Sequence, residues 1–214
     1  VAPSITSGAT ANAIDENSGA GQIIYTVTSS DSADVSGGVT YSLADGSDDA
    51  LSINGETGAV SLSTNPDNET QDSYGFTVVA TDAAGNASEQ AVTLGINDLD
   101  ESAPVITSGA TAVAIDENSG AGQIVYTATS DDSADVSGGV IYSLAASSDA
   151  ALSIDTATGE VTLSTDPDFE TQAQFSFTVV ATDVAGNAGQ QPVTLDINDL
   201  DEVSPVLLSI DSSV

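Results

Sequence analysis

The chain has 214 residues, of which 33 are acidic and none is Lys, Arg or His, so its formal net charge is −33. This charge excludes nucleic acid and anionic membrane surfaces as electrostatic partners, because both repel a polyanion. The acids are scattered through a sequence with 40% hydrophobic residues, which favours a folded protein over a disordered acidic segment. Cysteine is absent, so disulfides cannot stabilise the fold.

The sequence contains no membrane-insertion signal. No apolar run reaches the roughly 18 residues that a membrane span needs. No signal-peptide pattern opens the chain, and both ends are expected to be boundaries within a longer protein.

The predicted elements are all β strands, because short runs alternate apolar and polar residues and no helical period is sustained. An initial strand is expected near residues 4–14. Six further alternating runs follow in the first hundred residues, at 22–28, 39–43, 51–53, 59–62, 74–81 and 90–96. Seven strands in about 100 residues predict a Greek-key β-sandwich. The paired Cys and Trp of antibody domains are missing, so the sandwich is of another lineage.

The chain consists of two tandem copies of one sequence unit. Residues 3–101 align without a gap on 104–202, and 74 of the 99 pairs are identical. We therefore predict an all-β protein of two tandem seven-stranded Greek-key sandwiches, at 1–100 and 101–201. Residues 202–214 are expected to begin a truncated third repeat.

Nine acids at predicted strand ends and loops of the first copy are acidic again 101 positions later. They are Glu16, Asp31, Asp34, Asp67, Glu69, Asp82, Asp98, Asp100 and Glu101. Other acids change: Asp45, Asp49, Glu56 and Asp72 each correspond to Ala in the second copy. This contrast suggests that the nine have a shared role.

The loops of a sandwich cluster at its two poles, so acids from both copies are expected to converge where the copies join. Two carboxylates about 4 Å apart repel by roughly 4 kcal/mol at an effective dielectric near 20. Calcium suits such a cluster because it accepts six to eight hard oxygen ligands in flexible geometry. Zinc prefers His or Cys, which are lacking, and magnesium tends to keep its waters. The alternative to a calcium site is a solvated acidic surface, as in proteins from salty habitats. No EF-hand loop pattern is present, which excludes a helix–loop–helix calcium site.

The ordered motifs of each copy resemble cadherin repeats. Asp15-Glu16-Asn17 resembles the family's Pro-Glu-Asn signature, and Asp67-Asn68-Glu69 resembles its Asp-Arg-Glu motif. Residues 80–85 resemble Ala-x-Asp-x-Gly with one extra residue, and 98–104 are similar to the linker Asp-x-Asn-Asp-Asn-x-Pro. The loop before Tyr-Ser-Leu resembles the family's Asp-x-Asp loop. The resemblance covers both copies.

The resemblance implies three calcium ions between successive repeats. The first would be held by Glu16, Asp67, Glu69 and Glu101. The second would share several of these and add Asp98, the Leu99 carbonyl and an Asp of the next repeat. The third would be held by Asp100, the Ser102 carbonyl, the loop acids Asp132 and Asp135, and Asp183. Outer-pole half-sites, which would bind weakly, comprise Asp31, Asp34 and Asp82 at one end and Glu117, Asp168, Glu170, Asp199, Asp201 and Glu202 at the other.

Some residues depart from the family pattern. The linker has Asp100 and Glu101 where the family has Asn and Asp, and the loop 131–135 leaves open whether Asp131, Asp132 or Asp135 supplies the ligands. No Trp is present, so strand-swapped adhesion as in animal cadherins is not implied. The near-identical, Lys-free repeats look more like cadherin-like arrays of large secreted bacterial adhesins.

Three classes of function can be compared against these features. The first is a calcium-rigidified spacer of an extracellular or cell-surface adhesin, whose partners are its neighbouring repeats. The second is a calcium-dependent module for polysaccharide or another cell-surface ligand, although Tyr25, Tyr41, Tyr74 and Phe76 fall on predicted strands, where a core role is expected. The third is an enzyme, which is not expected, because only carboxylate chemistry would be available and acids beside bound cations are poor proton donors.

Overall fold

The structure is a computed structural model that describes residues 1–32, 37–136 and 138–203. The chain divides into two compact units, Val1–Leu99 and Asp100–Val214. Asp34 and nearly all of the expected third repeat lie outside the described residues. A search of the described residues finds no helix long and apolar enough to cross a membrane.

Unit 1 is built from strands, since its described residues form no helix. The strands are β1 (Ser4–Ile5), β2 (Ile14–Asp15), β3 (Gln22–Thr26), β4 (Ser29–Ser30), β5 (Val39–Leu43), β6 (Leu51–Ile53), β7 (Ala59–Leu62), β8 (Ser73–Asp82) and β9 (Ala87–Asn97). Seven of them form two sheets, ordered β2-β9-β8-β5 and β3-β7-β6, while β1 pairs with β4. These orders confirm the predicted seven-stranded sandwich.

Unit 2 repeats this arrangement in its described residues. Its strands are β10 (Val105–Ile106), β11 (Ile115–Asp116), β12 (Gln123–Thr127), β13 (Ser130–Asp131), β14 (Val140–Leu144), β15 (Leu152–Ile154), β16 (Glu160–Leu163), β17 (Gln174–Asp183) and β18 (Ala188–Asn198). The sheet orders are β11-β18-β17-β14 and β12-β16-β15, with β10 paired to β13. The repeat in the sequence is therefore a repeat in the fold.

The core of each unit lies between its two sheets. In unit 1, Val60, Leu62, Val78 and Leu94 are fully buried. They occupy alternate positions of β7, β8 and β9, because successive strand residues face opposite sides of a sheet. Aromatic rings also pack in each core. Tyr25 contacts Phe76 in unit 1 and Tyr126 contacts Phe177 in unit 2, each edge to face, with ring centroids 5.7 and 5.6 Å apart respectively. Aliphatic and aromatic side chains together therefore form the core of each unit.

The predicted continuous initial strand is wrong. β1 pairs antiparallel with β4, whereas β2 pairs in parallel with the end of β9. Between them only Thr10 makes a bridge, to Thr93. Five residues of the segment 6–13 are Gly, Ala or Asn, which are depleted in strands, and the chain changes partner across it. The long hairpin β8–β9 also extends beyond the predicted bounds, because backbone pairing continues to Thr81↔Ala87.

Candidate metal centres

Glu16 lies at the point where β2 ends and the chain turns. Asn17 has φ 56°, a left-handed conformation that Asn tolerates better than most residues, and its N–H donates to the Pro66 carbonyl at 2.9 Å. The turn directs the Glu16 carboxylate inward, where the residue is only 1% exposed. Its Oε2 accepts the Asn68 N–H at 2.7 Å and its Oε1 accepts the Leu99 N–H at 2.6 Å. One buried carboxylate therefore ties together two segments of unit 1.

The first acidic cluster is formed by Glu16, Glu69 and Asp98, all within unit 1. Each offers a carboxylate oxygen, and these oxygens lie within 4.8 Å of one another. Glu69 and Asp98 are exposed, so the cluster opens to solvent on one side. Three carboxylates at this separation repel one another unless a cation or proton intervenes.

The second cluster is formed by Asp100, Asp132 and Asp183, all within unit 2, again with oxygens within 4.8 Å. Asp183 ends β17 and is 5% exposed. Burial opposes its ionisation, but hydrogen bonds from Asn187, Gly186 and Ala185 outweigh this effect and lower its pKa. Asp183 is therefore held as a carboxylate.

Asp132 has the opposite electrostatic environment. Its Oδ2 is buried and has no hydrogen-bond partner among the described residues. Desolvation, together with the charges of Asp100 and Asp183, raises its pKa. An unpartnered buried oxygen among like charges is unfavourable by itself but suits a bound cation. Calcium fits this donor set, because the ligand atoms are hard oxygens and the chain has no His or Cys for a transition metal.

The third cluster, Glu117, Glu170 and Asp199, repeats the first within unit 2. Glu117 is 1% exposed and accepts the Phe169 N–H at 2.9 Å and the Leu200 N–H at 2.5 Å, as Glu16 does with its own two loops. The hydrogen bond from its own backbone lowers the pKa of Glu170. Burial and the negative charges of Glu117, Glu202 and Asp199 outweigh this bond, so the net effect is a raised pKa. Glu170 and Asp199 of this cluster line an open cavity of about 560 Å³, whose other walls are residues 200–203.

Several predicted site residues lie outside these clusters. Asp67 and Asp168 are exposed and accept the N–H of Thr70 and Thr171 respectively, at 2.9 and 3.0 Å. Asp82 accepts N–H bonds from Ala84 and Asn86, and the Asn86 side-chain bond is the main cause of its lowered pKa.

The linker residues of unit 2 contact its loop. Asp135 Oδ2 accepts the Glu101 N–H at 3.0 Å, and Ser102 N–H donates to Asp100 Oδ1 at 3.3 Å. Asp131 instead accepts the Ser133 N–H at 3.1 Å. The loop thus presents Asp132 to the cluster and Asp135 to the linker.

The predicted half-site acids differ in their contacts. Asp31, like Asp132, has a buried Oδ2 that has no hydrogen-bond partner among the described residues. Asp201 accepts the Val203 N–H at 3.1 Å, and Glu202 accepts the side-chain amide of Asn118.

Sequence reasoning missed Asn187. Its Nδ2 donates to the Asp100 carbonyl at 2.9 Å and to Asp183 Oδ2 at 3.0 Å, so it positions two members of the second cluster. The available signal was its recurrence: Asn86 follows Asp82 by four residues, as Asn187 follows Asp183.

Comparison with known proteins decides the family. The model of the Cadherin domain matches residues 11–97 and again 99–198. The chain belongs to the cadherin domain family. This match confirms the resemblance to cadherin repeats. Cadherin domains are typically calcium-dependent, extracellular adhesion modules without enzymatic activity.

Individual relatives are distant. The cadherin chain is 28% identical to human protocadherin Fat 1 over 166 residues and 32% identical to rat cadherin-23 over 206 residues. It spans only 4% and 6% of those proteins, while the matches cover 76% and 87% of the chain.

Solved structures support the sandwich fold. Mouse cadherin-23 EC22-24 is similar at a TM-score of 0.69 with 22% identity, over 94% of this chain and 68% of that one. Human protocadherin-24 EC1-2 gives 0.70 with 19% identity, over 94% and 99%.

Proposed function

We propose that these cadherin repeats are a calcium-dependent spacer in an extracellular adhesin, with calcium bound where the repeats join. The proposal rests on two linker acids that lie close together in the chain but belong to different clusters. Asp98 joins the cluster of unit 1 and Asp100 joins the cluster of unit 2. One residue separates them, so their Cα atoms are at most about 7 Å apart along the chain.

The residues that would hold the ions follow from the clusters and the family resemblance together. Glu16, Asp67, Glu69 and Glu101 would hold the first ion, and Asp98 with the Leu99 carbonyl would extend this set to the second. Asp100, the Ser102 carbonyl, Asp132, Asp135 and Asp183 would hold the third. Bound calcium would supply the positive charge that neutralises these oxygens.

The physical consequence would be stiffness of the connection. Without a cation, carboxylates on both sides of the Leu99–Asp100 bond repel one another, and the chain has no Lys, Arg or His to offset them. A cation shared by ligands from both repeats would replace this repulsion by attraction. The same acids at 199–202 would act on a following repeat.

The high similarity of the two repeats supports a spacer role. Repeats that differ at 25 of 99 aligned positions and lack Lys suit an array like those of large secreted bacterial adhesins. The polysaccharide alternative has no observation in its favour, because all nine aromatic residues lie in described parts of the chain and none is exposed.

Calorimetric titration with calcium tests the proposal. We expect about three ions at the joint for the wild-type chain and loss of those sites in a D98N/D100N variant. The matched control is D45N/D49N, which removes the same charge at exposed positions that are Ala in the second repeat. Absence of calcium binding, or an equal loss in the control, would refute the proposed sites.

A further inference from the structure

The turn between β6 and β7 contains the chain's one Asn-Gly pair, Asn54-Gly55. Residues 54–57 are all exposed. Asn54 Oδ1 accepts two backbone N–H groups, from Glu56 at 3.0 Å and Thr57 at 2.9 Å. The Asn54 carboxamide is therefore polarised by two donors and is followed by the residue with the least steric hindrance at its backbone nitrogen.

We propose that Asn54 is a site of spontaneous deamidation, which converts this turn into the acid-capped turn that unit 2 already has. The Gly55 nitrogen, after losing its proton to solvent base, attacks Asn54 Cγ and forms a C–N bond. The Cγ–Nδ2 bond then breaks, and ammonia leaves with a proton. Water then opens the resulting five-membered succinimide at either of its two carbonyls: opening at Cγ gives aspartate, the residue that the equivalent turn of unit 2 carries, and opening at the main-chain carbonyl gives isoaspartate. Water is the only co-reactant, and no oxidation or reduction occurs.

The two N–H donors favour this reaction. When Gly55 nitrogen adds to Cγ, negative charge develops on Oδ1, to which Glu56 and Thr57 donate. Donors that point at an oxygen where charge develops stabilise the transition state, as in an oxyanion hole.

The second unit shows that the product fits the fold. Asp155 occupies the equivalent position, and its Oδ1 accepts the N–H of Ala157 at 2.9 Å and of Thr158 at 2.8 Å. These bonds lower the pKa of Asp155, so the N–H groups of this turn accommodate a negative oxygen. The two units also make the same backbone hydrogen bond to this turn. The Tyr41 N–H donates to the Gly55 carbonyl in unit 1 and the Tyr142 N–H donates to the Thr156 carbonyl in unit 2, both at 2.9 Å.

The test is incubation of the full calcium-loaded chain at mildly alkaline pH, followed by digestion after Glu and tandem mass spectrometry. We expect the mass gain of amide-to-acid conversion at Asn54 before any of the nine other asparagines. The matched variant is G55T, since Thr is the residue of unit 2 at this position; its Cβ should slow the reaction by roughly tenfold or more. A wild-type rate in G55T, or earlier reaction at another Asn, would overturn the proposal.

A second measurement tests the product. The variant N54D should have the thermal unfolding midpoint of the wild-type chain at neutral pH, because Asp155 accepts the equivalent N–H groups in unit 2. Destabilised N54D would show that the turn does not accommodate aspartate at this position.

Discussion

The Oδ2 atoms of Asp31 and Asp132, residues 101 positions apart, are both buried, and neither has a hydrogen-bond partner among the described residues. A buried polar atom without a partner is destabilising, so its recurrence at equivalent positions calls for a compensating group. The chain has no cationic side chain to provide it. A bound cation is the compensation that the proposed function supplies.

Replacement of Asp132 should therefore have opposite effects with and without calcium. Asp132→Asn should weaken calcium binding by roughly tenfold or more, because it removes a charged ligand. In chelator the same change should raise the unfolding temperature, because a neutral amide relieves repulsion from Asp100 and Asp183. Calorimetry and thermal unfolding check both signs. The control Asp49→Asn, at an exposed position that is Ala in the second repeat, should show neither effect. Loss of stability of D132N in chelator would contradict the account.

Glu16 should stabilise unit 1 even when no calcium is bound. Glu16→Gln replaces one acceptor by an amide donor, so either the Asn68 or the Leu99 N–H loses a charge-assisted hydrogen bond. The expected decrease in the free energy of unfolding is about 1.5–3 kcal/mol, measured by urea denaturation in chelator. The exposed Glu56→Gln serves as the control. Equal stability of the two variants would contradict the structural role of Glu16.

Gly189 should tolerate no side chain. A Cβ at this position would overlap the Pro104 carbonyl oxygen, and backbone cannot move aside as a side chain can. Gly189→Ala should lower the free energy of unfolding of unit 2 by about 1–3 kcal/mol in urea denaturation. At the equivalent position unit 1 has Ser88, so Ser88→Ala should be nearly neutral there. If G189A matched the wild type, the close approach of Gly189 to the Pro104 carbonyl would be disproved.

Asp155 should give unit 2 an acid-sensitive contribution to stability that the equivalent residue, Asn54, cannot give unit 1. N–H groups of Thr158 and Ala157 lower its pKa below the ordinary 3.8, so its stabilisation is fully present above that value. The stabilisation is lost as the pH falls through the lower folded-state pKa, because the carboxylate must then be protonated. Asp155→Asn, which copies Asn54, should remove this acid dependence. NMR titration of the Asp155 carboxyl carbon should give a midpoint below 3.8; a midpoint at or above it would contradict the assignment.

Much of the fold could be predicted because the repeat and the local alternation agree. The predicted runs at 39–43, 51–53 and 59–62 coincide with β5, β6 and β7, along which more buried and less buried residues alternate. The split between β1 and β2 could not be predicted, since it depends on which distant strand each half pairs with. The start of β9 was missed because Ala87-Ser88-Glu89 has little strand propensity and is extended by pairing with β8.

The acidic clusters were predictable in membership more than in detail. Glu16, Glu69 and Asp98 were found by motif and by retention across the repeats, and the structure brings them together. The choice among Asp131, Asp132 and Asp135 depends on the path of one loop, which sequence spacing does not determine. Asn187 could not be predicted from charge, because its side chain is a neutral amide rather than a charged ligand. Its role is to donate a hydrogen bond to the Asp100 carbonyl.

The most direct test of the central claim is the spread of distances between the two repeats, with and without calcium. The chain has no Cys, so spin labels can be attached to single cysteines at the exposed Ser52 and Ser153 and measured by double electron–electron resonance. We expect a broad distance distribution in chelator that narrows with calcium in the wild-type chain but stays broad in D98N/D100N. A distribution of the same width in both conditions would contradict the proposal that calcium stiffens the connection.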